Sequence, residues 1–301
     1  MIYYILANPH AGHGHGKVVT HTLTDYLSQK NIPFHLFETQ QPLDEAPLIA
    51  KILTLKTGAD RLLIIGGDGT ISLSLNALPA DEVFSYIPAG SGNDFARGLG
   101  ISRQESATLA TFDAIHSGQA QEIYVISYSS DKLSGIATNN IGIGLDAAIV
   151  DAANKSRLKA VLNRFKLGQL SYLISALHVL FTKKAFAIQA NGRRFDKAFI
   201  FTVTKHPYFG GGIPLAPDAS LKTPELHLVT ISRFNLFKTF LLIPKLLKGT
   251  HFENDHVDLL INKHFTLTAT STQPVQIDGE IKTFLAGQTL EISTEKRTII
   301  Y

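Results

Sequence analysis

Four short segments carry the residue types that handle phosphates and protons. They are Asn8-Pro9-His10-Ala11-Gly12-His13-Gly14-His15-Gly16, Gly66-Gly67-Asp68-Gly69-Thr70, Pro88-Ala89-Gly90-Ser91-Gly92-Asn93-Asp94-Phe95 and Gln276-Ile277-Asp278-Gly279-Glu280. Glycine lets backbone N–H groups come close to an anion, and a helix starting at the end of such a loop adds partial positive charge. One such loop also reads as a plain turn, because glycine punctuates loops of every kind. Three in series, two of them holding an Asp, point to a polyphosphate with a divalent cation.

The first loop fits neither common phosphate motif. The glycine a P-loop needs five residues before Gly16 is Ala11, and Lys17 is followed by Val18 where Ser or Thr is required. The spacing of Gly12, Gly14 and Gly16 also departs from the dinucleotide fingerprint. His10, His13 and His15 suggest a metal site, but a glycine-rich loop holds ligands poorly and no nearby carboxylate completes the set. They read as solvated or phosphate-facing. Asp278-Gly279 between apolar residues reads as a hairpin turn, and the same turn can present Glu280 to a cleft.

The elements that must position these loops alternate through the first third of the chain. Apolar runs at residues 2–6, 62–65 and 83–87 and an extended stretch at 34–38 are separated by helical periodicity at 17–30, 44–56 and 71–78. Fully apolar strands alternating with helices predict a parallel sheet covered on both faces, an α/β domain over residues 1–120. In such a sheet, loops at the carboxyl ends of strands line the ligand crevice. Beyond residue 120 the texture becomes short Val-, Ile-, Thr- and Phe-rich stretches at 122–128, 199–204, 226–232, 265–269, 275–277 and 290–292. That pattern predicts a β-rich, antiparallel second domain over 121–289, interrupted by a helical insertion at 155–182. Periodicity leaves open where residues 290–301 pack, a return onto the first domain included. The cleft between domains is the natural site.

Composition bounds the rest. With 301 residues, 45% hydrophobic and 18% charged, the chain suits a two-domain globular protein and not a disordered one. It has no cysteine, which excludes disulfides, thiolate catalysis and zinc–thiolate or iron–sulfur sites. The first residues run from a strand-like stretch into the first loop without a basic leader, and no run reaches the roughly 18 apolar residues of a spanning helix. A cytoplasmic protein is expected. The net charge of +3 is small, so any basic function must be local. Residues 155–184 hold seven basic residues and no acid, and residues 233–248 hold four and no acid, both interleaved with large apolar residues. Such segments are either core-packed helices with solvated basic faces or surfaces for an anionic bilayer. Nothing indicates a nucleic-acid partner.

Gly66 to Thr70 together with residues 88–97 (PAGSGNDFAR), the Asn8-Pro9…Gly12 opening and the late Gln276-Ile277-Asp278-Gly279-Glu280 resemble the diacylglycerol kinase catalytic-domain family. That family includes bacterial soluble lipid kinases and the sphingosine and ceramide kinases. The resemblance implies a three-layer α/β domain of the NAD kinase/phosphofructokinase-like type, followed by a β-rich sandwich. It implies ATP and Mg²⁺, with the adenine nucleotide against Asn8, Pro9, His10, Ala11 and Gly12 and near Thr39. Phosphates would lie along Gly66, Gly67, Asp68, Gly69 and Thr70 as far as Leu73, with Ser91 and Asn93 on the third loop. Asp68 and Asp94 match the acids that organise catalytic magnesium, Glu280 matches the general base, and Asp278 is its catalytic neighbour. The acceptor would be a lipid hydroxyl, most directly diacylglycerol giving phosphatidate, drawn from an anionic membrane surface by a protein peripheral at the inner face. A homodimer is compatible with the sequence.

Two departures stand out. Ser72-Leu73 replaces the Asn-Glu that commonly follows this glycine motif. In bacterial members an Asp-Gly pair after a Pro- and Ala-rich segment belongs to a structural magnesium site, whereas here Thr223-Pro224 stands in its place. Mainly backbone carbonyls near Ser220 and Glu225 would remain, which hold a hard dication weakly, so that site is expected to be degraded. Two other readings stay open: an NAD kinase-like phosphotransferase, and a nucleotide-binding module without turnover.

Overall fold

The computed structural model describes residues 1–145, 147–149 and 179–301. Of the expected insertion at 155–182, residues 155–178 lie outside the described residues. Among the described residues no helix is long and apolar enough to cross a membrane.

The first half is built on β1 (Tyr3–Ala7), which pairs in parallel with β2 (Phe34–Glu38) and with β3 (Arg61–Gly66), and β3 pairs in parallel with β4 (Val83–Pro88). Strand alternation sends Tyr4, Leu6, Leu62 and Ile64 to one face, where they meet Ile49 and Ile52 of α2 (Glu45–Leu55) and Ile71 and Leu75 of α3 (Asp68–Ala77). Tyr3, Ile5, Leu63 and Ile65 point to the other face, against Val19, Leu23 and Leu27 of α1 (Ala11–Gln29) and Phe112 and Ile115 of a helix at Thr108–Ser117. Burial on both faces explains why these strands read as unbroken apolar runs. The result is the expected three-layer α/β arrangement. Its first helix takes in the glycine-rich loop, with Gly12, His13 and Gly14 departing from helical geometry at positive φ.

The second half is β-rich and antiparallel. β7 (Asn140–Gly144) and β12 (Leu226–Ser232) flank the long β9 (Arg193–Thr204), and β15 (Gln273–Ile277) pairs with both β7 and β16 (Glu280–Phe284). Phe201, Val203, Leu228, Phe265, Leu267 and Phe284 are among the residues that fill its core.

The two halves share one sheet through β17 (Thr289–Ile300). Its first residues pair antiparallel with β14 (Phe265–Ala269), almost its whole length pairs antiparallel with β5 (Gln121–Ser129), and Thr298–Ile300 pair in parallel with Val83–Ser85 of β4. Within this strand Arg297 is 4% exposed. Its guanidinium donates to the carbonyls of Leu78 and Pro79, both at 2.9 Å, and of Leu75 at 3.0 Å. The carbonyls of Leu75 and Leu78 have no helical partner where α3 ends, and a cation there also suits the helix dipole. The far end of the chain thereby holds the helix whose first residue is Asp68.

Arg297→Met keeps the bulk of the side chain and removes all three donors. We expect it to cost about 3 kcal/mol in urea unfolding, because buried acceptors bonded to a charged donor are left bare. A loss below about 1 kcal/mol would show that this clamp contributes little.

Candidate functional site

The three glycine-rich loops leave the carboxyl ends of β1, β3 and β4 and meet one another. Asn8 donates from Nδ2 to Thr70 Oγ1 at 3.0 Å and accepts from the His10 amide through Oδ1 at 3.0 Å, tying the first loop to the second. The third loop is closed by Asn93, which holds a left-handed backbone (φ +53°). Its side chain accepts from the Gly90 amide and donates to the Gly90 carbonyl, both at 2.8 Å. Two glycines are required by close approach and not only by turning. A Cβ on Gly90 would stand 2.5 Å from Gly67 Cα, and one on Gly12 would stand 2.5 Å from the Ala89 carbonyl oxygen.

A cleft of about 680 Å³ opens over these loops. Asn8, His10, Ala11 and Gly12 line it from the first loop, Thr39 from the end of β2, and Gly67, Asp68, Gly69 and Thr70 from the second loop. Ser91 lines it from the third loop, and Glu280 reaches it from the second half of the molecule. Pro9, Gly66, Asn93, Asp94 and Asp278 are not among the lining residues. Leu73, one of the two departures, is itself part of the wall. Ser72 is buried, with its carbonyl accepting from Asn76 Nδ2 at 2.8 Å. Of the three loop histidines, His10 faces the cleft, His13 is exposed, and His15 turns to Glu105 at 3.1 Å.

The acids differ in what surrounds them. Asp94 is 5% exposed, and its oxygens are engaged by Arg97 at 3.1 Å and the Gly211 amide at 2.8 Å. It is not among the residues lining the cleft, and one of its oxygens is held by the loop beyond β9. Asp68 accepts from the Phe95 amide at 3.0 Å. Burial, reinforced by the charges of Asp94 and Asp278, pushes its carboxyl above the ordinary aspartate range, against the pull of that amide. A divalent cation fits such a carboxylate, because it would neutralise a charge that the surroundings disfavour. No three Asp, Glu or His groups converge as a metal cage among the described residues. A magnesium ion would therefore share its ligands between Asp68, phosphate oxygens and water.

Asp278 and Gly279 have φ of +48° and +88° and form the two-residue hairpin between β15 and β16. Both positive φ values suit the turn type that matches strand twist. The Asp278 carboxylate accepts from the Thr138 amide at 2.6 Å, the Thr138 hydroxyl at 2.9 Å, the Asn139 amide at 2.9 Å and the Asn140 amide at 3.1 Å. These contacts use its acceptor capacity, so Asp278 shapes the turn and has no free oxygen for an incoming hydroxyl. The catalytic role expected of it becomes a positioning role. Glu280 opens β16 with its side chain 56% exposed and 3.2 Å from Lys282 Nζ. Thr138, Asn139 and Asn140 were missed in the sequence, since an Asn-Asn pair reads as a turn. Glu45 was missed too: it is 4% exposed in the cleft wall, and burial pushes its carboxyl upward.

Behind this turn His206 is fully buried, 2.7 Å from Asn139 Oδ1, with its Nδ1 accepting from the Tyr208 amide at 3.2 Å. Burial, with smaller contributions from Lys205 and Arg97, pulls its pKa down to about 3.

Ser220, Thr223 and Glu225 lie apart from the cleft lining, with the carbonyls of Ser220 and Glu225 bonded to Lys205 Nζ.

The sequence profile of the Diacylglycerol kinase catalytic domain matches residues 3–128, and that of the YegS C-terminal NAD kinase beta sandwich-like domain matches residues 139–295. YtlR of Bacillus subtilis, named as a candidate lipid kinase, is 28% identical over 289 residues, 93% of each chain. A candidate diacylglycerol kinase from Bacillus anthracis has a TM-score of 0.72 at 22% identity, covering 100% of this chain and 94% of that one. An NAD kinase from Archaeoglobus fulgidus in complex with ATP has a TM-score of 0.54 at 15% identity, covering 100% and 94%. Loops of this kind on this α/β sheet, with a β-rich second half, define a kinase-type phosphotransferase. Within that class the chain belongs to the diacylglycerol kinase catalytic-domain family, a family of lipid kinases.

Two outcomes separate the residues of the turn. Asp278→Ala strands four buried donors and should lower unfolding stability by about 2–4 kcal/mol, whereas Glu280→Ala, at an exposed position, should stay within about 0.5 kcal/mol. Equal effects in urea titrations would remove the distinction. His206 makes stability depend on acid. Below about pH 6.5 the unfolded chain takes up a proton that the folded histidine refuses until about pH 3, so stability present above pH 6.5 is lost as pH falls. The slope from one such group is about 1.4 kcal/mol per pH unit. His206→Gln should shallow the pH dependence between pH 6 and 4 by about one proton, and an unchanged slope would assign the uptake elsewhere.

Proposed function

We propose that this protein transfers the γ-phosphoryl group of ATP, with Mg²⁺, to the hydroxyl of a lipid, most directly diacylglycerol, giving phosphatidate and ADP. The observation that carries this reading is that Glu280, from the second half, lines the same cleft as Asp68 and the phosphate-type loops of the first half. A lipid hydroxyl is a poor nucleophile until its proton has an acceptor, and in this reading the Glu280 carboxylate is that acceptor. The oxygen then attacks the γ-phosphorus and the bond to the ADP oxygen breaks. Amides of Gly67, Gly69 and Ser91 orient the triphosphate, and Asp68 with phosphate oxygens would hold the metal. When bound, that ion supplies neutralisation of phosphate charge.

Support for a lipid acceptor comes from the second half. An apolar pocket of about 220 Å³ lies beneath the helix Leu236–Lys248, lined by Leu145, Phe199, Phe234, Leu242 and Leu246 among others. Strand β7 links it to the turn: Asn140 at one end holds Asp278, and Gly144 at the other pairs with Ile200 of the pocket wall. Four residues of strand span about 13 Å, a length that suits an acyl chain. An NAD acceptor would want a polar pocket there. On the same helix Phe240, Leu241, Ile243 and Leu247 are exposed beside Lys238, Lys245 and Lys248. That mixture suits docking on an anionic bilayer at the inner membrane face, with each surface lysine contributing about 1 kcal/mol.

The test is transfer of labelled phosphate from Mg-ATP across a panel of lipid alcohols in mixed micelles, with NAD as a separate acceptor. Diacylglycerol should be the best acceptor, and Glu280→Gln should lower kcat by about 10²–10⁴. No lipid product from wild-type protein would leave a binding module, and an unaffected rate in the variant would remove Glu280 as the base.

A further inference from the structure

Lys205 follows the last residue of β9 and is fully buried, with 0% of its surface exposed. A lysine so placed needs partners, because an unpaired buried ammonium is strongly disfavoured. Its Nζ donates to two backbone carbonyls, those of Ser220 and, at 3.0 Å, of Glu225. Burial pulls its pKa to about 8. At neutral pH it is still mostly the ammonium form.

The resemblance to the kinase family implies a structural dication held by backbone carbonyls near Ser220 and Glu225 and by a carboxylate where Thr223 stands. Here position 223 is Thr, whose hydroxyl bonds to the Glu225 side chain, and position 224 is Pro, with φ fixed and no amide to give. The residues present do not fit the dication. It would need about six oxygen ligands including charged ones, and the two carbonyls it would use already accept from a resident cation. We infer that Lys205 is a tethered cation in the place of that metal, closing the 220–225 segment from within the chain and making it independent of divalent ions.

The consequence reaches the cleft. The 220–225 segment is held to β5 by the Tyr124 amide on the Leu221 carbonyl at 2.7 Å. The Lys205 amide bonds to the Asn139 carbonyl at 3.2 Å, and the Asn139 amide holds Asp278. The loop between Lys205 and Ser220 carries Gly211, whose amide holds Asp94. Lys205 is therefore a positioning residue: it closes the base of a loop that touches Asp94 and sits next to the cradle of Asp278.

The experiment is thermal unfolding of nucleotide-free protein in EDTA and in excess Mg²⁺ or Ca²⁺, in an Asp68→Asn background so that the cleft acid does not contribute. Protein with Lys205 intact should melt at the same temperature in all three buffers. Lys205→Ala should melt several degrees lower in EDTA, and Lys205→Ala with Thr223→Asp should regain part of that loss with a dication and not without it. A dication-dependent rise with Lys205 intact would overturn the inference, as would an unchanged melting temperature in Lys205→Ala or no ion response in the double variant. Should the Lys205 variants fail to fold, calorimetric titration of the Lys205-intact protein with Ca²⁺ decides: no binding heat is expected, and a stoichiometric site overturns the inference.

Discussion

The carboxylate of Asp278 gathers three successive backbone amides and one hydroxyl from Thr138 to Asn140. Each of those donors would be costly to leave unpaired, and a charged acceptor makes each bond stronger than a neutral one. The interaction crosses a long interval of sequence, joining the hairpin after β15 to the start of β7. Because the next strand begins two residues later, fixing Asp278 fixes the direction in which Glu280 leaves the turn. A carboxylate on a free hairpin would sample many positions over the cleft. Glu280 itself is half exposed and only lightly held by Lys282, so its placement is a property of the turn and not of its own contacts.

The other half of the constraint is the shared sheet. β17 lies against β14 and β5 of the antiparallel half and ends beside β4 of the parallel half. A strand hydrogen-bonded into both leaves little freedom for one half to rotate against the other along that seam. Arg297 adds to this by occupying the carbonyl end of α3, while the amino end of the same helix presents Asp68 to the cleft. One helix is thus gripped at its far end by the last strand and offers its near end to the ligand. The geometry of the cleft depends on residues nearly the whole chain length apart.

Much of this was legible in the sequence where a single physical pressure set the residue types. Strands buried on both faces must be apolar throughout, so β1, β3 and β4 read plainly. The three glycine loops did as well, because touching backbones admit no Cβ. Strand β7 was hidden, since Asn140-Ile141-Gly142-Ile143-Gly144 reads as turn and not as strand. Gly144, at φ +105°, would drive a Cβ into the Phe199 carbonyl oxygen at 2.4 Å, so its glycine answers to crowding that lies far away in sequence. The continuation of β17 past residue 292 was hidden by Glu295-Lys296-Arg297, three charges that look solvated until Arg297 is seen bonded to helix carbonyls. Asp278 and Glu280 could not be told apart in role, because the donors that claim Asp278 come from another part of the chain.

Three aspartates lie near the cleft, and local pattern alone would give them similar roles. Their surroundings assign them different ones. Asp94 has its charge balanced by Arg97 and an amide, and Asp278 has its charge spread over four donors. Asp68 lines the cleft, and burial, reinforced by the like charges of Asp94 and Asp278, lifts its carboxyl. Neutralising two acids internally leaves the demand for an external positive charge concentrated on the one that faces the ligand. Asp68 stands at the amino end of α3, where the helix dipole favours an anion, with Glu45 and Glu280 in the same cleft wall. The same economy holds at Lys205, where the chain supplies its own cation to carbonyls away from the cleft. At both places a charge buried by the fold is met by a partner from the chain itself.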